Sequence, residues 1–270
     1  MKRVFLIVAI MFGMAGLCAD GDTIPSKQDF TVDTSVGFKS EYFFRGRGER
    51  RKVFVSKTEI EHQLFDEVTA YIGVNSAFGI AHEEGGTDTA DHISPCAGIL
   101  YGIFDKVALD IGCEYHLYTA MPLTDPDGKP LGVRCHSREV HLGIIFDTFM
   151  KLSLNSFYDF ERQEVALEGI GVYSFELPFL FSGLGIDVWT KVGYDYTNKP
   201  LGITNVNINI PKACYYYYAA GADLAYRFNH ARIKVGVSYE RNSAKKDFWI
   251  NEYASTNKNI VISASIDCLF

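Results

Sequence analysis

From residue 30 onward, the sequence alternates between apolar and polar residues in stretches of a dozen residues or more. In the stretch 106–118, Leu109 and Ile111 fall in an apolar frame, whereas Asp110 and Glu114 fall in the polar frame between them. Successive side chains of a β-strand point to opposite faces, so a period of two indicates strands with one apolar face and one charged face.

The alternating stretches number twelve, and single-chain bacterial membrane barrels have an even number of strands. They span residues 30–44, 51–65, 68–79, 92–104, 106–119, 135–147, 149–160, 164–177, 185–197, 212–228, 231–242 and 259–270. The tight connectors are 66–67, 105, 148, 178–184 and 229–230, and the connectors expected to face outward are 45–50, 80–91, 120–134, 161–163, 198–211 and 243–258. Short turns at one end and longer loops at the other are typical of membrane barrels. The sequence therefore predicts an all-β fold, a transmembrane antiparallel up-and-down β-barrel of about 12 strands.

The length of the stretches also favours a membrane barrel. A tilted membrane strand needs about 9 to 11 residues, whereas strands of soluble proteins average about 5 to 6. Beyond the first nineteen residues, no run approaches the roughly 20 apolar residues that a membrane helix needs. A secreted soluble barrel or sandwich remains the alternative, although it would have to bury charged residues or expose many apolar ones.

The beginning of the chain has the pattern of a secretory signal peptide. Lys2 and Arg3 precede an apolar segment that ends at Leu17, and a polar segment follows Ala19. We therefore expect residues 1–19 to be a signal peptide, residues 20–29 an N-terminal periplasmic segment, and residues 30–270 the barrel. A membrane anchor, or a lipoprotein modified on Cys18, is the alternative. Export of this kind predicts the outer membrane of a Gram-negative bacterium as the location.

The last stretch has a specific ending. Apolar residues alternate from Ile260 through Ile262 and Ile266 to Phe270. This pattern resembles the final strand by which Gram-negative outer-membrane barrels are recognised by the barrel assembly machinery. The resemblance implies that Phe270 is an assembly signal and that this machinery is a partner.

A second resemblance lies near the first stretch. The segment Ser40-Glu41-Tyr42-Phe43-Phe44-Arg45-Gly46 is followed after some 25 residues by residues 70–76, which end in Asn75-Ser76. The pair resembles the opening of a family of uncharacterised Gram-negative outer-membrane β-barrel proteins, which have a Ser-[Asp/Glu]-Tyr-x-Phe-Arg-Gly motif. Here Glu41 stands in place of Asp, and Asn75-Ser76 is in reversed order. The resemblance implies an outer-membrane location and no particular activity.

The charged frame of the strands is expected to line the lumen. The predicted lumen-lining residues are Lys39, Glu41, Asp110, Glu114, Glu139, Asp187, Lys191, Asp223, Arg227, Arg232 and Lys234. Ionised groups stay hydrated and impose selectivity, so the frame favours a porin-like channel for small hydrophilic solutes. The alternative is a closed structural or surface-interaction barrel in which opposite charges pair across a narrow interior.

A catalytic function has one candidate cluster. His136 and Ser137 lie beside Glu139 and His141, and outer-membrane phospholipases and lipid A deacylases also use His and Ser on a twelve-stranded barrel. Adjacent residues of a strand point to opposite faces, however, so His136 and Ser137 are not expected to meet. The sequence favours a protein that is not an enzyme, and a lipid hydrolase remains the alternative.

The composition limits the partners and cofactors. A net charge of −7 argues against nucleic acid, whose phosphates need a basic surface. The widely spaced cysteines do not form a zinc-binding pattern, and neither a metal constellation nor any cofactor motif is recognisable. Outer-membrane lipids and lipopolysaccharide are therefore the expected partners, and a homo-oligomer is left open.

The densest charge cluster lies in the first outer connector. Arg45, Arg47, Arg50 and Arg51 fall within a short segment that also contains Lys52. Guanidinium groups bind phosphate oxygens bidentately, and rings of cations occur in anion-selective pores. These four arginines are predicted to contact anionic solutes or lipid phosphates at the outer mouth, with a solvated loop tip as the alternative.

Overall fold

The computed structural model describes residues 30–44, 47–80, 91–124, 130–197, 213–243 and 258–270. These residues form twelve β-strands. The strands are β1 (Phe30–Phe44), β2 (Arg47–Phe65), β3 (Val68–Gly79), β4 (Asp91–Phe104), β5 (Val107–Thr124), β6 (Pro130–Asp147), β7 (Lys151–Asp159), β8 (Glu164–Glu176), β9 (Leu184–Thr197), β10 (Ala213–Phe228), β11 (Ala231–Asn242) and β12 (Lys258–Leu269). Within the described residues, no helix is long and apolar enough to cross a membrane.

The strands close into a single barrel. Each strand pairs with its sequence neighbour, and β1 also pairs with β12. All of these pairings are antiparallel, and Ser35 lies opposite Asp267 where the first and last strands meet. Closure gives each of the described strands a hydrogen-bonded neighbour on both sides over part of its length, so none of them is an edge strand. The predicted fold class, an antiparallel up-and-down barrel of about 12 strands, is confirmed.

The two faces of the barrel wall differ in character. On β11, Val235 and Val237 are 55% and 52% exposed on the outward face, whereas Ser238 and Glu240 are each 8% exposed on the inward face. Large apolar side chains are similarly exposed on the outward face of every strand from β1 to β12. The alternation read in the sequence thus corresponds to an apolar exterior and a polar interior.

The connectors also differ between the two ends of the barrel. The end that carries residues 66–67, 105–106 and 229–230 is called the short-connector end, and the opposite end the long-connector end. Asn229 has a φ of 48°, which asparagine tolerates better than most residues. Gly183, in the seven-residue connector before β9, has a φ of 83°, and a Cβ there would collide with the carbonyl oxygen of Arg227.

Two predicted connectors prove shorter than the sequence indicated. The connector 120–134 was expected to be a long loop, but β5 continues to Thr124 and β6 begins at Pro130. The two strands remain paired after a register shift that follows Tyr118. Likewise, most of the connector 45–50 belongs to β2, which begins at Arg47. Polar and Pro/Gly-rich composition had suggested loops, but continued cross-strand pairing overrides that local preference. The expected signal peptide (1–19) and periplasmic segment (20–29) lie outside the described residues.

Candidate functional site

The predicted lumen-lining residues share one face of the wall. Register and alternation place them all on the inward face: Lys39 and Glu41 on β1, Asp110 and Glu114 on β5, Glu139 on β6, Asp187 and Lys191 on β9, Asp223 and Arg227 on β10, and Arg232 and Lys234 on β11. Glu41 accepts a hydrogen bond from the amide of Asn259 near the long-connector end. Whether these residues line an open water pathway stays a prediction.

Cations and carboxylates alternate on the part of the wall formed by β8 to β12. A guanidinium nitrogen of Arg232 lies 2.6 Å from a carboxylate oxygen of Asp187. The same carboxylate accepts a hydrogen bond of 2.7 Å from Ser174. The ammonium of Lys234 lies 2.5 Å from a carboxylate oxygen of Asp267. Opposite charges therefore balance each other on this side of the interior, between the paired strands β11 and β12 and across β10 between β9 and β11.

A histidine–carboxylate contact lies on the inward face of β3 to β6, on the other side of the barrel interior. The hydroxyl of Tyr71 donates a hydrogen bond of 2.9 Å to Asp110 and lies 3.0 Å from Nε2 of His141. His141 Nε2 also lies 3.3 Å from a carboxylate oxygen of Asp110. The Tyr71 ring fits against the wall because Gly98 and Gly112 lie beneath it, where a Cβ would collide with its hydroxyl. These contacts anchor the tyrosine along the wall.

A second, more deeply buried histidine cluster is formed by β4 and β5. The hydroxyl of Ser94 lies 2.8 Å from Nδ1 of His116 and 2.5 Å from Nε2 of His92. The two histidine nitrogens lie 3.0 Å apart. Two carboxylates lie next to the His116 ring. A carboxylate oxygen of Glu114 lies 3.8 Å from Nδ1, and one of Glu139 lies 3.8 Å from Nε2. Ser94, His116 and Glu139 are each no more than 2% exposed.

An arginine from the connector between β7 and β8 joins this buried region. Arg162 is 3% exposed, and its guanidinium lies 3.5 Å from both Asp159 and Glu164. Asp159 also caps the connector, because its carboxylate accepts the backbone N–H of Glu161 and of Arg162 at 3.0 Å and 2.9 Å. Ser137 donates a hydrogen bond to the other oxygen of Asp159.

The outward side of the same connector is more exposed. The guanidinium of Arg138 lies 2.6 Å from Glu161, and its backbone N–H donates a bond of 2.7 Å to the same carboxylate. Partial burial works to raise the pKa of Glu161, but the two hydrogen bonds from Arg138 outweigh it and lower that pKa. The connector is thus held to β6 by one exposed arginine and to the interior by one buried arginine.

Strand register explains why the buried cluster forms. Glu114 lies opposite Glu139, Glu139 opposite Asp159, and Asp159 opposite Glu164. Four carboxylates therefore form a row across β5 to β8, and we call it the acidic row. Like charges directly opposite each other destabilise a sheet unless other groups compensate them. The acidic row, together with His92, Ser94, His116 and Arg162, forms the candidate functional site.

Sequence reasoning found part of this site. Glu114 and Glu139 were predicted lumen residues, and the structure brings them together. His92, Ser94 and His116 were not singled out, although the alternation placed His116 in the inward frame. Extending the same frame along β4 would have found the other two. Arg162 lies in a connector, where no periodic signal exists.

The cluster considered for catalysis is divided between the two faces. The His136 side chain points outward, where its ring centroid lies 5.8 Å from that of Tyr115. Ser137 points inward and is 1% exposed. Adjacent strand positions separate the two side chains, as the alternation predicted.

The remaining predicted site residues have few described contacts. Arg45 lies outside the described residues, and Arg47, Arg50 and Arg51 are described only as backbone positions of β2 opposite the end of β1. Phe270 follows β12 and exchanges two backbone hydrogen bonds of 2.9 Å with Val32. Its side chain packs near Ala231 and Cys268. The anion-contact role of the arginines and the assembly role of Phe270 stay predictions.

No protein-family model matches the sequence, and no curated protein matches it. An outer-membrane channel from Pseudomonas putida F1 aligns with a TM-score of 0.51 at 10% identity, over 93% of this chain and 100% of that chain. The NanC porin aligns with a TM-score of 0.47 at 8% identity, over 88% and 98% of the two chains. LpxR from Salmonella typhimurium aligns with a TM-score of 0.47 at 10% identity, over 89% and 100%. At such identities the likeness to the Pseudomonas channel supports the closed-barrel fold and nothing finer.

Proposed function

We propose that the protein is a porin-like channel of the Gram-negative outer membrane that passes small hydrophilic solutes. The observation that carries this proposal is a closed twelve-stranded barrel with an apolar exterior and an ionised interior. No water in the hydrocarbon layer can satisfy an open sheet edge, so a closed barrel suits that environment. The fold of the outer-membrane channel from Pseudomonas putida F1 supports the same conclusion.

Hydroxyl groups on the outward face support contact with lipid. The hydroxyls of Ser56 and Ser76 lie 2.6 Å apart on neighbouring strands, and those of Thr34 and Thr58 lie 3.1 Å apart. All four residues fall in the outward frame of their strands, where Thr34 is buried among its neighbours. Polar groups in hydrocarbon must find partners within the protein, and these pairs provide them.

The arrangement of interior side chains favours a passage for water. Tyr71 lies over Gly98 and Gly112, and Tyr217 lies over Gly193, so both rings follow the wall instead of crossing the interior. The charged side chains of Lys191, Arg232 and Lys234 remain 21% to 27% exposed inside the barrel. Ionised groups that keep contact with water can support the movement of polar solutes along the wall.

The charge balance of the interior favours cations. Acidic side chains outnumber basic ones on the described inward face. Part of the excess lies at the acidic row, whereas Glu168, Asp187 and Asp267 on β8 to β12 each have a cationic neighbour. A wall with net negative charge lowers the energy of a passing cation and raises that of an anion. We therefore expect the channel to prefer cations.

The proposal is tested by reconstituting the refolded protein in a planar lipid bilayer and recording current. A channel gives discrete conductance steps. In a salt gradient, the sign of the reversal potential should show that cations pass more readily than anions. Glu168→Gln, on the inward face, should reduce that preference, whereas Glu67→Gln, in an exposed connector, should leave it unchanged. The absence of steps at all voltages would favour the closed barrel. Release of fatty acid from phospholipid or lipopolysaccharide would instead favour the hydrolase.

A further inference from the structure

Three potential metal ligands meet inside the barrel. Glu114 and His116 lie on β5, and Glu139 lies on β6. One ring nitrogen of His116 and one carboxylate oxygen from each glutamate all lie within 4.8 Å of one another. Imidazole nitrogens and carboxylate oxygens are ligands of zinc, and three protein ligands with one further position for water are typical of accessible zinc sites.

The distances between the ligand atoms fit a shared ion better than direct hydrogen bonds. Glu139 approaches Nε2 of His116 to 3.8 Å and Glu114 approaches Nδ1 to 3.8 Å, and both distances are longer than a hydrogen bond. Zinc holds nitrogen and oxygen ligands at about 2.0 to 2.2 Å, so neighbouring ligands of a tetrahedral ion lie about 3.3 to 3.6 Å apart. The three ligand atoms lie within 4.8 Å of one another, so a contraction of about 1 Å would complete the site.

The histidine ring is already held in place by its neighbours. Nδ1 of His116 contacts the hydroxyl of Ser94 at 2.8 Å and Nε2 of His92 at 3.0 Å. Histidines that bind metals usually have their second nitrogen engaged in this way, which fixes the orientation of the ring. Nε2 lies on the side of Glu139, whereas Glu114 lies on the Nδ1 side, so the Glu114 carboxylate has to turn toward Nε2 to share the ion.

The acidic row is an independent reason to expect a cation. Its four carboxylates lie opposite one another in successive strands, although like charges in that arrangement repel. Arg162 contacts Asp159 and Glu164 at one end of the row. Glu114 and Glu139 form the other end, where they lie on the two sides of the His116 ring. A divalent ion would balance the two carboxylates at that end.

We propose that Glu114, His116 and Glu139 bind one Zn²⁺ ion inside the barrel, with water completing the coordination. Binding of zinc at this site does not depend on the passage of solutes, so this inference goes beyond the channel function. The sequence alone predicted no metal, because the third ligand is supplied by a neighbouring strand at a sequence separation that matches no local motif. A histidine ligand favours zinc over calcium or magnesium, which prefer oxygen ligands alone.

Equilibrium dialysis of the refolded, chelator-treated full chain against Zn²⁺, with the bound metal measured by mass spectrometry, tests the proposal. The wild-type protein should bind one zinc ion per chain at this site. Glu139→Gln and Glu114→Gln preserve side-chain shape, and each should weaken binding by about a hundredfold or more. Asp110→Asn is the matched control, because Asp110 also contacts a histidine on the inward face but belongs to no three-ligand group among the described residues. Its zinc affinity should equal that of the wild type.

Several results would overturn the proposal. Absence of zinc binding to the wild type refutes it, as does unchanged affinity in both glutamine variants. An equal loss in Asp110→Asn would mean that general interior charge, and not a ligand set, attracts the ion. Ca²⁺ binding as strong as Zn²⁺ binding would refute the ligand chemistry. Heat-modifiable migration on a gel shows whether each variant folds. If Glu139→Gln does not fold, Glu114→Gln still tests the site, because Glu114 is partly exposed. Dialysis in detergent requires no conductance, so a zinc-binding barrel that conducts nothing would refute the channel alone.

Discussion

Two neighbouring residues of β7 allow a direct test of which face contacts lipid. Leu154 is 58% exposed on the outward face near the middle of the strand, and Asn155 is the next residue, on the inward face. We compare Leu154→Arg with Asn155→Arg. The two variants introduce the same side chain at the same height of the wall and differ in the face that receives it.

The expected magnitudes differ strongly between the two variants. An arginine on the lipid face of a barrel costs about 2 to 4 kcal/mol at the bilayer midplane, which is roughly a 30-fold to 700-fold change in the folding equilibrium. Asn155 lies opposite Gly143 on one side and Glu168 on the other. An arginine there reaches the polar interior near a carboxylate and avoids the lipid-facing penalty, so its cost should be smaller than that at Leu154.

Folding into lipid vesicles, measured by urea titration and heat-modifiable migration, gives the two free energies. If Leu154→Arg is no more destabilising than Asn155→Arg, the outward apolar face does not contact lipid. A soluble barrel would give that result, because Leu154 would then be an exposed surface residue whose replacement costs little. A larger loss for Asn155→Arg would invert the assignment of the two faces.

Three further predictions concern the ends of the barrel. Phe270→Ser should lower the amount of heat-modifiable barrel in the outer-membrane fraction, and wild-type amounts would count against an assembly role. Arg45→Glu combined with Arg47→Glu should shift the reversal potential toward cations, less so in high salt because screening shortens the field; an unchanged potential at low salt indicates an ordinary loop. Arg162→Ala should cost about 3 to 5 kcal/mol in the urea titration, since it leaves Asp159 and Glu164 without their buried cation. Arg138→Ala breaks an exposed pair and should cost less than about 1 kcal/mol, so equal losses would refute the difference in burial.

The architecture could be predicted because one periodicity determines most of it. Alternation identified twelve strands, and the observed strands begin and end within a few residues of the predicted limits except at the hairpin of β5 and β6. There, residues such as Pro122 and Gly132 have low strand preference, yet they remain paired. The composition of a segment indicates its own preference for strand or loop. The length of a strand also depends on pairing with its partner strand, which the composition of one segment does not show.

The candidate site was harder to predict because it depends on register. Alternation shows that Glu114 and Glu139 share the inward face, but it does not show that they lie opposite each other. That pairing depends on the hairpin register and on the shift after Tyr118. Arg162 enters the interior from a connector, and neither its direction nor its partners follow from periodicity.

The contrast between the two sides of the interior indicates where function is concentrated. On β9 to β12, Asp267 lies near Lys234 on the paired strands β11 and β12, and Asp187 lies near Arg232 across β10, so opposite charges face each other. On β5 to β8, register instead places carboxylates opposite one another in the acidic row. A sequence selected for stability alone would replace such a row, and natural proteins depart from favourable local pairing chiefly at functional sites. The acidic row is therefore the part of the wall where a bound or passing cation would offset the repulsion that the fold itself creates.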